Sequence, residues 1–371
     1  MNFAFIEEFK RKRCCLLRDE SSAPAQAVLC APAETAAAPF VNSILALSGG
    51  LLFVAVTAEQ AEAFGLTLMS RSIQPGQTIN SAKQLWGSCV SVDARAGTTT
   101  GISVHDRVAT LHTLASSEPH PRKLLQPGHV FPIRCERGGL LVRNALPVAA
   151  LDLVLAAGYA PAALVIDLLD SEGNALSSAA LDQLARTRDW PVFSLSQVVQ
   201  FRLATERLIS RVADAKLPSR LGGDLRAVMY KSRLHEGEHL ALVKGTIDPQ
   251  AVVLTRVQTE ATFTDVFGGN SCSSRQLIQE ALHQIGAAPA GVFLFLRKPA
   301  AGHLQRQVES LASAREQDSP NLLREYGIGA QILNDLGVRR IELLTGSTKA
   351  VAGLQAFGIE IVSQRLLSQP S

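Results

Sequence analysis

The sequence predicts a mixed α/β, or α+β, architecture divided over two domains, and three observations lead there. Short apolar runs of strand length, each closed by a turn signal, recur along the chain. Segments with apolar residues at helical spacing fall between them, and their irregular alternation disfavours a purely helical or purely β class. The chain has 371 residues, more than one hydrophobic core comfortably serves, so two domains are the default.

Taken in order, residues 163–169 form an apolar run that stops at Asp170-Ser171-Glu172-Gly173. Residues 251–257, 291–296 and 341–345 repeat the pattern, the last ending at Gly346. Between these strands, Leu277, Ile278, Ala281, Leu282 and Ile285 share one helical face. Ala330, Ile332, Leu333 and Leu336 do the same after Gly329. The charged stretch 204–216 reads as helix and gives way to Leu217-Pro218-Ser219-Arg220-Leu221-Gly222-Gly223, where proline and paired glycines stop a helix. The domain boundary is placed there, dividing 1–205 from 206–371.

Composition narrows the function. With 47% hydrophobic and 19% charged residues the chain reads as a soluble globular protein. A net charge of +3 leaves no electrostatic footprint for nucleic acid or a membrane surface. No apolar run has the length of a membrane span, and charges in the opening segment interrupt the apolar stretch a signal peptide needs. A cytoplasmic protein with small-molecule or protein partners is expected. The six cysteines, Cys14, Cys15, Cys30, Cys89, Cys135 and Cys272, lack CxxC spacing and read as buried or free thiols rather than a disulfide framework.

Two segments carry chemistry. In 91–107, Gly97-Thr98-Thr99-Thr100-Gly101 precedes Ser103, Asp106 and Arg107. Clustered hydroxyls and amides flanked by glycine form an anion nest, with arginine supplying charge. The second segment is Gln126-Pro127-Gly128-His129-Val130-Phe131-Pro132. Either alone is also consistent with an ordinary turn.

In this order and spacing the two segments resemble 3,4-dihydroxy-2-butanone 4-phosphate synthase, and the match continues through 138–143, Asp152-Leu153 and Gly173. The resemblance implies a homodimeric, magnesium-dependent enzyme that converts ribulose 5-phosphate to dihydroxybutanone phosphate and formate. It assigns substrate contact to Thr98, Thr99, Thr100, Asp106, Arg107 and His129. The family's acidic Glu-Asp-Arg-Glu-x-Glu-Gly-Asp loop falls on 20–27, with Ser22 at the arginine, Ala23 and Ala25 at later glutamates and Ala27 at the last aspartate. Its Gly-His-Thr-Glu segment falls on Ala145-Leu146-Pro147-Val148. Asp167 matches a family acid and is the surviving carboxylate. Enolisation needs bases beside a divalent ion with hard oxygen ligands, and alanine and leucine supply neither.

From Glu238 onward the chain resembles GTP cyclohydrolase II, most specifically at Tyr326-Gly327-Ile328-Gly329-Ala330-Gln331-Ile332-Leu333. That family holds a catalytic zinc on three thiolates. The matching positions here are Ala261, Cys272 and Ser274, so Cys272 is the only remaining zinc-type ligand. Arg324 matches the arginine that attacks the phosphate. Arg256, Arg297 and Thr345 match nucleotide or phosphate positions and Lys349 lies about one residue early; a salt-bridged or solvated role is the alternative for each cation.

These losses predict a catalytically degenerate member that keeps both folds and binds a phosphate ligand of the ribulose 5-phosphate or GTP type. No cofactor is expected, although the active family uses magnesium and zinc. The alternatives are altered chemistry on a sugar phosphate, with His129 and Asp106 as acid and base, and a synthase that is still active.

Overall fold

Strands covered on both faces read as near-continuous apolar runs, and the centre of the first half does so: β3 (Phe53–Thr57) is Phe-Val-Ala-Val-Thr and β6 (Ala162–Asp167) is buried up to its last residue. The computed structural model describes residues 3–19, 26–69, 87–233, 237–260, 265, 274–297, 320–346, 354 and 358–367, with 274 and 320–326 described by backbone alone. The chain divides into two compact units, Met1–Val199 and Gln200–Ser371.

In the first unit, β3 and β6 join β1 (Cys15–Asp19), β2 (Gln26–Pro32), β4 (Val92–Ala94), β5 (Leu124–Cys135) and β7 (Val192–Ser194). They form a seven-stranded sheet of order β4-β5-β3-β6-β2-β1-β7. Its helices are α1 (Ala4–Lys12), α2 (Ala38–Leu45), α3 (Ala58–Phe64), α4 (Val104–Leu114), α5 (Leu146–Ala156) and α6 (Ser178–Arg188), and α7 (Leu195–Thr205) begins in this unit and ends in the second. Leu29, Val54, Val56, Leu164 and Ile166 pack with Phe64 of α3 and Leu111 and Leu114 of α4 in one core. α5 packs against β2, β3 and β6 and is buried from Leu146 to Val154, with Asp152 accepting the Leu140 N–H at 2.7 Å. The sheet pairs antiparallel except at β3·β5 and β1·β7.

Register fixes the working end of this sheet. Phe53 stands opposite both Phe131 and Val165, and Val28 stands opposite Asp167. The start of β3, the approach to Phe131, the end of β6 and the start of β2 therefore emerge together.

The second unit holds β8 (Ile209–Ser219), β9 (Gly223–Ser232), β10 (Glu238–Lys244), β11 (Val252–Thr259), β12 (Gly291–Leu296), β13 (Arg340–Thr345) and β14 (Glu360–Leu366), in the order β14-β13-β11-β12-β10-β9-β8. Helices α8 (Ser274–Ala287) and α9 (Pro320–Asp335) accompany them. β11 to β14 pair in parallel, and β8, β9, β10 and β12 pair antiparallel. The strands and helices expected from apolar spacing appear within a few residues of the predicted bounds.

The segment 204–216 is different: α7 ends at Thr205 and the chain turns into β8. Cross-strand pairing with β9 outweighs the local helical pattern, and β8 is one of the sheet's two edge strands and is largely exposed. Charges and a proline suit such an edge, because they blunt further strand addition, and Pro218 lies near its end.

Among the described residues no helix is long and apolar enough to cross a membrane. Cys14, Cys15, Cys30, Cys89 and Cys135 are free and buried, as expected; Cys272 lies outside the described residues.

Candidate functional site

The threonine- and glycine-rich loop owes its shape to Asp106. Ser103 caps α4 by accepting the Asp106 N–H at 3.1 Å, and the buried Asp106 carboxylate turns back into the loop. It accepts the Thr99 N–H (3.2 Å), the Thr99 hydroxyl (2.9 Å) and the Gly101 N–H (3.0 Å). Burial opposes the charge, but the bonds from Thr99, Gly101 and Ser103 prevail and hold this carboxyl below the usual aspartate range. Thr98 donates to the Ala94 carbonyl at 2.6 Å. Arg107 donates to the carbonyls of Ile102 (3.1 Å) and Gly50 (2.6 Å), tying the loop to the approach to β3. Thr100 is exposed.

The loop closes on a histidine–carboxylate pair. His129 donates its backbone N–H to Asp93 Oδ1 at 2.9 Å, and its Nδ1 lies 2.8 Å from Asp93 Oδ2. An ionised carboxylate only accepts, so Nδ1 carries the hydrogen and Nε2 of the neutral ring is the basic atom. The His129 side chain is 37% exposed and that of Asp93 10%, so the ring reaches solvent while the carboxylate beneath it is largely covered. Two glycines permit the approach. A Cβ on Gly101, at φ +85, would overlap the Asp93 carboxylate and come within 2.7 Å of His129 Nδ1. A Cβ on Gly128 would run into the Val92 backbone, where the Gly128 N–H meets Ser91 Oγ at 3.1 Å.

Asp93 holds the imidazole of His129, while Asp106, which the altered-chemistry alternative offers beside it as acid or base, accepts bonds that shape the loop. Sequence reasoning missed Asp93. Its one signal is an acidic residue between Val92 and Ala94 in a buried strand.

Asp167 is exposed at the end of β6, at the same end of the sheet as His129. β3 separates β5 from β6, so the two backbones stand roughly 10 Å apart at about 4.8 Å per strand. Ala27 is half-buried in β2 beside this end, and Ser22, Ala23 and Ala25 lie outside the described residues. Leu146 opens α5. That helix is joined through 157–161 to the start of β6, so its first turn points toward the end of the sheet where Asp167 emerges. Leu146 is 5% and Val148 3% exposed, absorbed into the core. Magnesium requires several oxygen ligands in near-octahedral array, and alanine, leucine and valine at the matched positions do not fit it.

In the second unit Arg297 and Thr345 stand at the carboxyl ends of β12 and β13, the end at which open α/β sheets bind ligands. Arg256 on β11 donates to the Leu344 carbonyl (3.1 Å) and to Gln258 Oε1 (2.8 Å). Arg297, just past β12, lies 3.7 Å from Glu260, and Thr345 ends β13. The backbone of Arg324 lies in the N-terminal part of α9. Lys349, Ala261 and Cys272 fall outside the described residues, and Ser274 opens α8. One thiol with an alanine and a serine does not fit a zinc site of three thiolates.

Two units, one with a threonine- and glycine-rich loop beside a histidine and the other with arginines near a run of parallel strands, define a two-domain α+β protein. Compared with known families, residues 4–201 match 3,4-dihydroxy-2-butanone 4-phosphate synthase and residues 210–366 match GTP cyclohydrolase II. The chain belongs to the riboflavin-biosynthesis family that joins these two domains. It is 32% identical over 377 residues to the probable bifunctional riboflavin biosynthesis protein RIBA 2, chloroplastic, of Oryza sativa subsp. japonica, covering 98% of this chain and 67% of that protein. It is 33% identical over 362 residues to the monofunctional riboflavin biosynthesis protein RIBA 2, chloroplastic, of Arabidopsis thaliana, covering 96% and 74%. The riboflavin biosynthesis protein RibBA of Bacillus cereus (strain ATCC 14579) is 31% identical over 377 residues, covering 99% and 93%. The fold also matches the crystal structure of RibBX, a two-domain 3,4-dihydroxy-2-butanone 4-phosphate synthase from A. baumannii, with TM-score 0.77, 21% identity and full coverage of both chains.

Proposed function

We propose that this protein binds a phosphorylated small molecule at the loop of 97–103 and His129 without performing the parent synthase reaction. The observation that carries this reading is the burial of Leu146 and Val148 in the first turn of α5, where the family resemblance places a histidine and a glutamate. Ala23, Ala25 and Ala27 remove the acidic groups of the other element. If metal and base each contribute several kcal/mol to the transition state, losing both lowers the rate more than about a millionfold. The name of the Arabidopsis relative, monofunctional, agrees with activities that can be lost singly on this scaffold.

Titration calorimetry with ribulose 5-phosphate, followed by a formate assay with and without magnesium, tests the reading. Binding without formate supports it. Magnesium-dependent formate that disappears in His129→Ala overturns it in favour of an active synthase, and absence of binding removes the ligand from the proposal.

The Asp93–His129 pair favours a second reading. With Nδ1 held by Asp93, His129 Nε2 can accept a proton from the carbon beside a ketose carbonyl without a metal. Solvent deuterium entering ribulose 5-phosphate in the wild type, but not in His129→Ala, would select this reading over simple binding.

A further inference from the structure

At the opposite end of the first sheet from His129 and Asp167 lies a cleft of about 350 Å³. Pro32, at the end of β2, pairs with Ala163 at the start of β6, which fixes that placement. The carboxyl ends of α1 and α6 meet there and bring Lys12, Arg13, Arg188 and Asp189 to its rim, with Pro32 and Phe40 among its apolar walls. We propose that this cleft binds a phosphate monoester with a compact apolar or planar body, of nucleoside monophosphate size.

Charge is the first argument. Lys12 is paired with Asp189, but Arg13 and Arg188 have no carboxylate partner among the described residues. Three cations face one carboxylate, and the two helix carboxyl ends add only about half a negative charge each. The cleft stays positive. Geometry is the second. The Arg188 guanidinium lies 5.8 Å from the centre of the Trp190 ring, which orients its fork of donors without using them. Guanidinium forks match phosphate oxygens two at a time. Backbone conformation agrees: Arg13 (φ 57) and Asp189 (φ 54) are the non-glycine residues at positive φ among those described, and both line this cleft. Glycine is usual at such helix ends, and a side chain is held there at some conformational cost. The volume falls in the range of small-molecule sites, about 300–1,000 Å³.

The test uses adenosine 5′-monophosphate on the full chain, with Trp190 fluorescence as readout and Trp190→Phe assigning the signal. Saturable quenching is expected, competed by inorganic phosphate and much weaker with adenosine. The double variant Arg13→Gln/Arg188→Gln should weaken binding by about tenfold or more. Arg13→Lys/Arg188→Lys should lie between, which keeps the test open if the glutamine variant misfolds. His129→Ala and Arg256→Ala should leave the affinity unchanged. No saturable response, equal binding of adenosine, an unchanged double variant, or loss of binding in His129→Ala or Arg256→Ala each overturns the proposal.

Discussion

Hydroxyl groups that look like ligands in a sequence can be fully occupied in the fold, and the loop of 97–103 shows how. Thr98 and Thr99 donate to Ala94 and Asp106, and Arg107 holds two carbonyls, so the loop presents mainly its exposed backbone, Thr100 and the ring of His129. Gly101 makes that arrangement possible. Gly101→Ala places a Cβ at positive φ against the Asp93 carboxylate and should cost about 2–3 kcal/mol. A fall in Tm together with loss of ribulose 5-phosphate binding checks it, and an unchanged Tm would mean that the loop does not sit on Asp93. Asp106 sets a pH expectation. Its carboxyl titrates below the usual range in the folded state, so its contribution is complete above the ordinary aspartate value and is lost as pH falls through the lower folded one. Amide exchange at Thr99 and Gly101 should stay slow on acidification until below the ordinary aspartate range; acceleration above it contradicts the bonding. The motif was legible in the sequence because residue types are visible there. Its partners were not, because Asp93 meets His129 only through strand pairing and a bulge between Val92 and Asp93.

Whole elements show what some family motifs do for packing. The Tyr-Gly-Ile-Gly-Ala-Gln-Ile-Leu run lies in α9, and its described groups serve packing. Gln331 accepts the Leu208 N–H and donates to the carbonyls of Leu203 and Glu206, fastening α9 to the end of α7. Gly327 lets Leu203 close in: a Cβ there would stand 2.5 Å from Leu203 Cδ1, whereas at Gly329 the nearest atom is 3.4 Å away. Gly327→Ala should therefore lose about 1–3 kcal/mol by overpacking. Gly329→Ala should be neutral, or gain up to about 1 kcal/mol from helix propensity. Equal effects in chemical denaturation would refute the contrast. In α5 the argument runs the other way. Leu146→His buries an imidazole in an apolar turn and should destabilise by about 2 kcal/mol or more without restoring activity. A stable Leu146→His protein that gains formate release would place this position in a working site. β8 was misread because side-chain spacing alone does not register that β9 offers a full ladder of partners.

Across the molecule, fold and chemistry are written in different residues, which is why one was read so much further than the other. Apolar spacing, glycine turns and buried polar fastenings are required by both cores, and they identify the two domains at about a third identity to the relatives. Reactivity rests on a few side chains that packing does not require, so replacing them would leave the architecture intact. The cyclohydrolase half gives the cleanest test. A catalytic zinc site needs three protein ligands and an open position, with thiolates binding far better than an alcohol. The matched set is Ala261, Cys272 and Ser274, and the remaining cysteines all lie in the first half of the sequence, strand-borne or core-buried in its sheet. Protein dialysed against metal-free buffer should retain no stoichiometric zinc, and added zinc should not raise its thermal stability, because a ligand that binds only the folded state would do so. GTP should then give no formate even where it binds. One zinc per chain after dialysis, or zinc-dependent formate from GTP that is abolished by Arg324→Ala, would show that a working metal site is assembled from other residues.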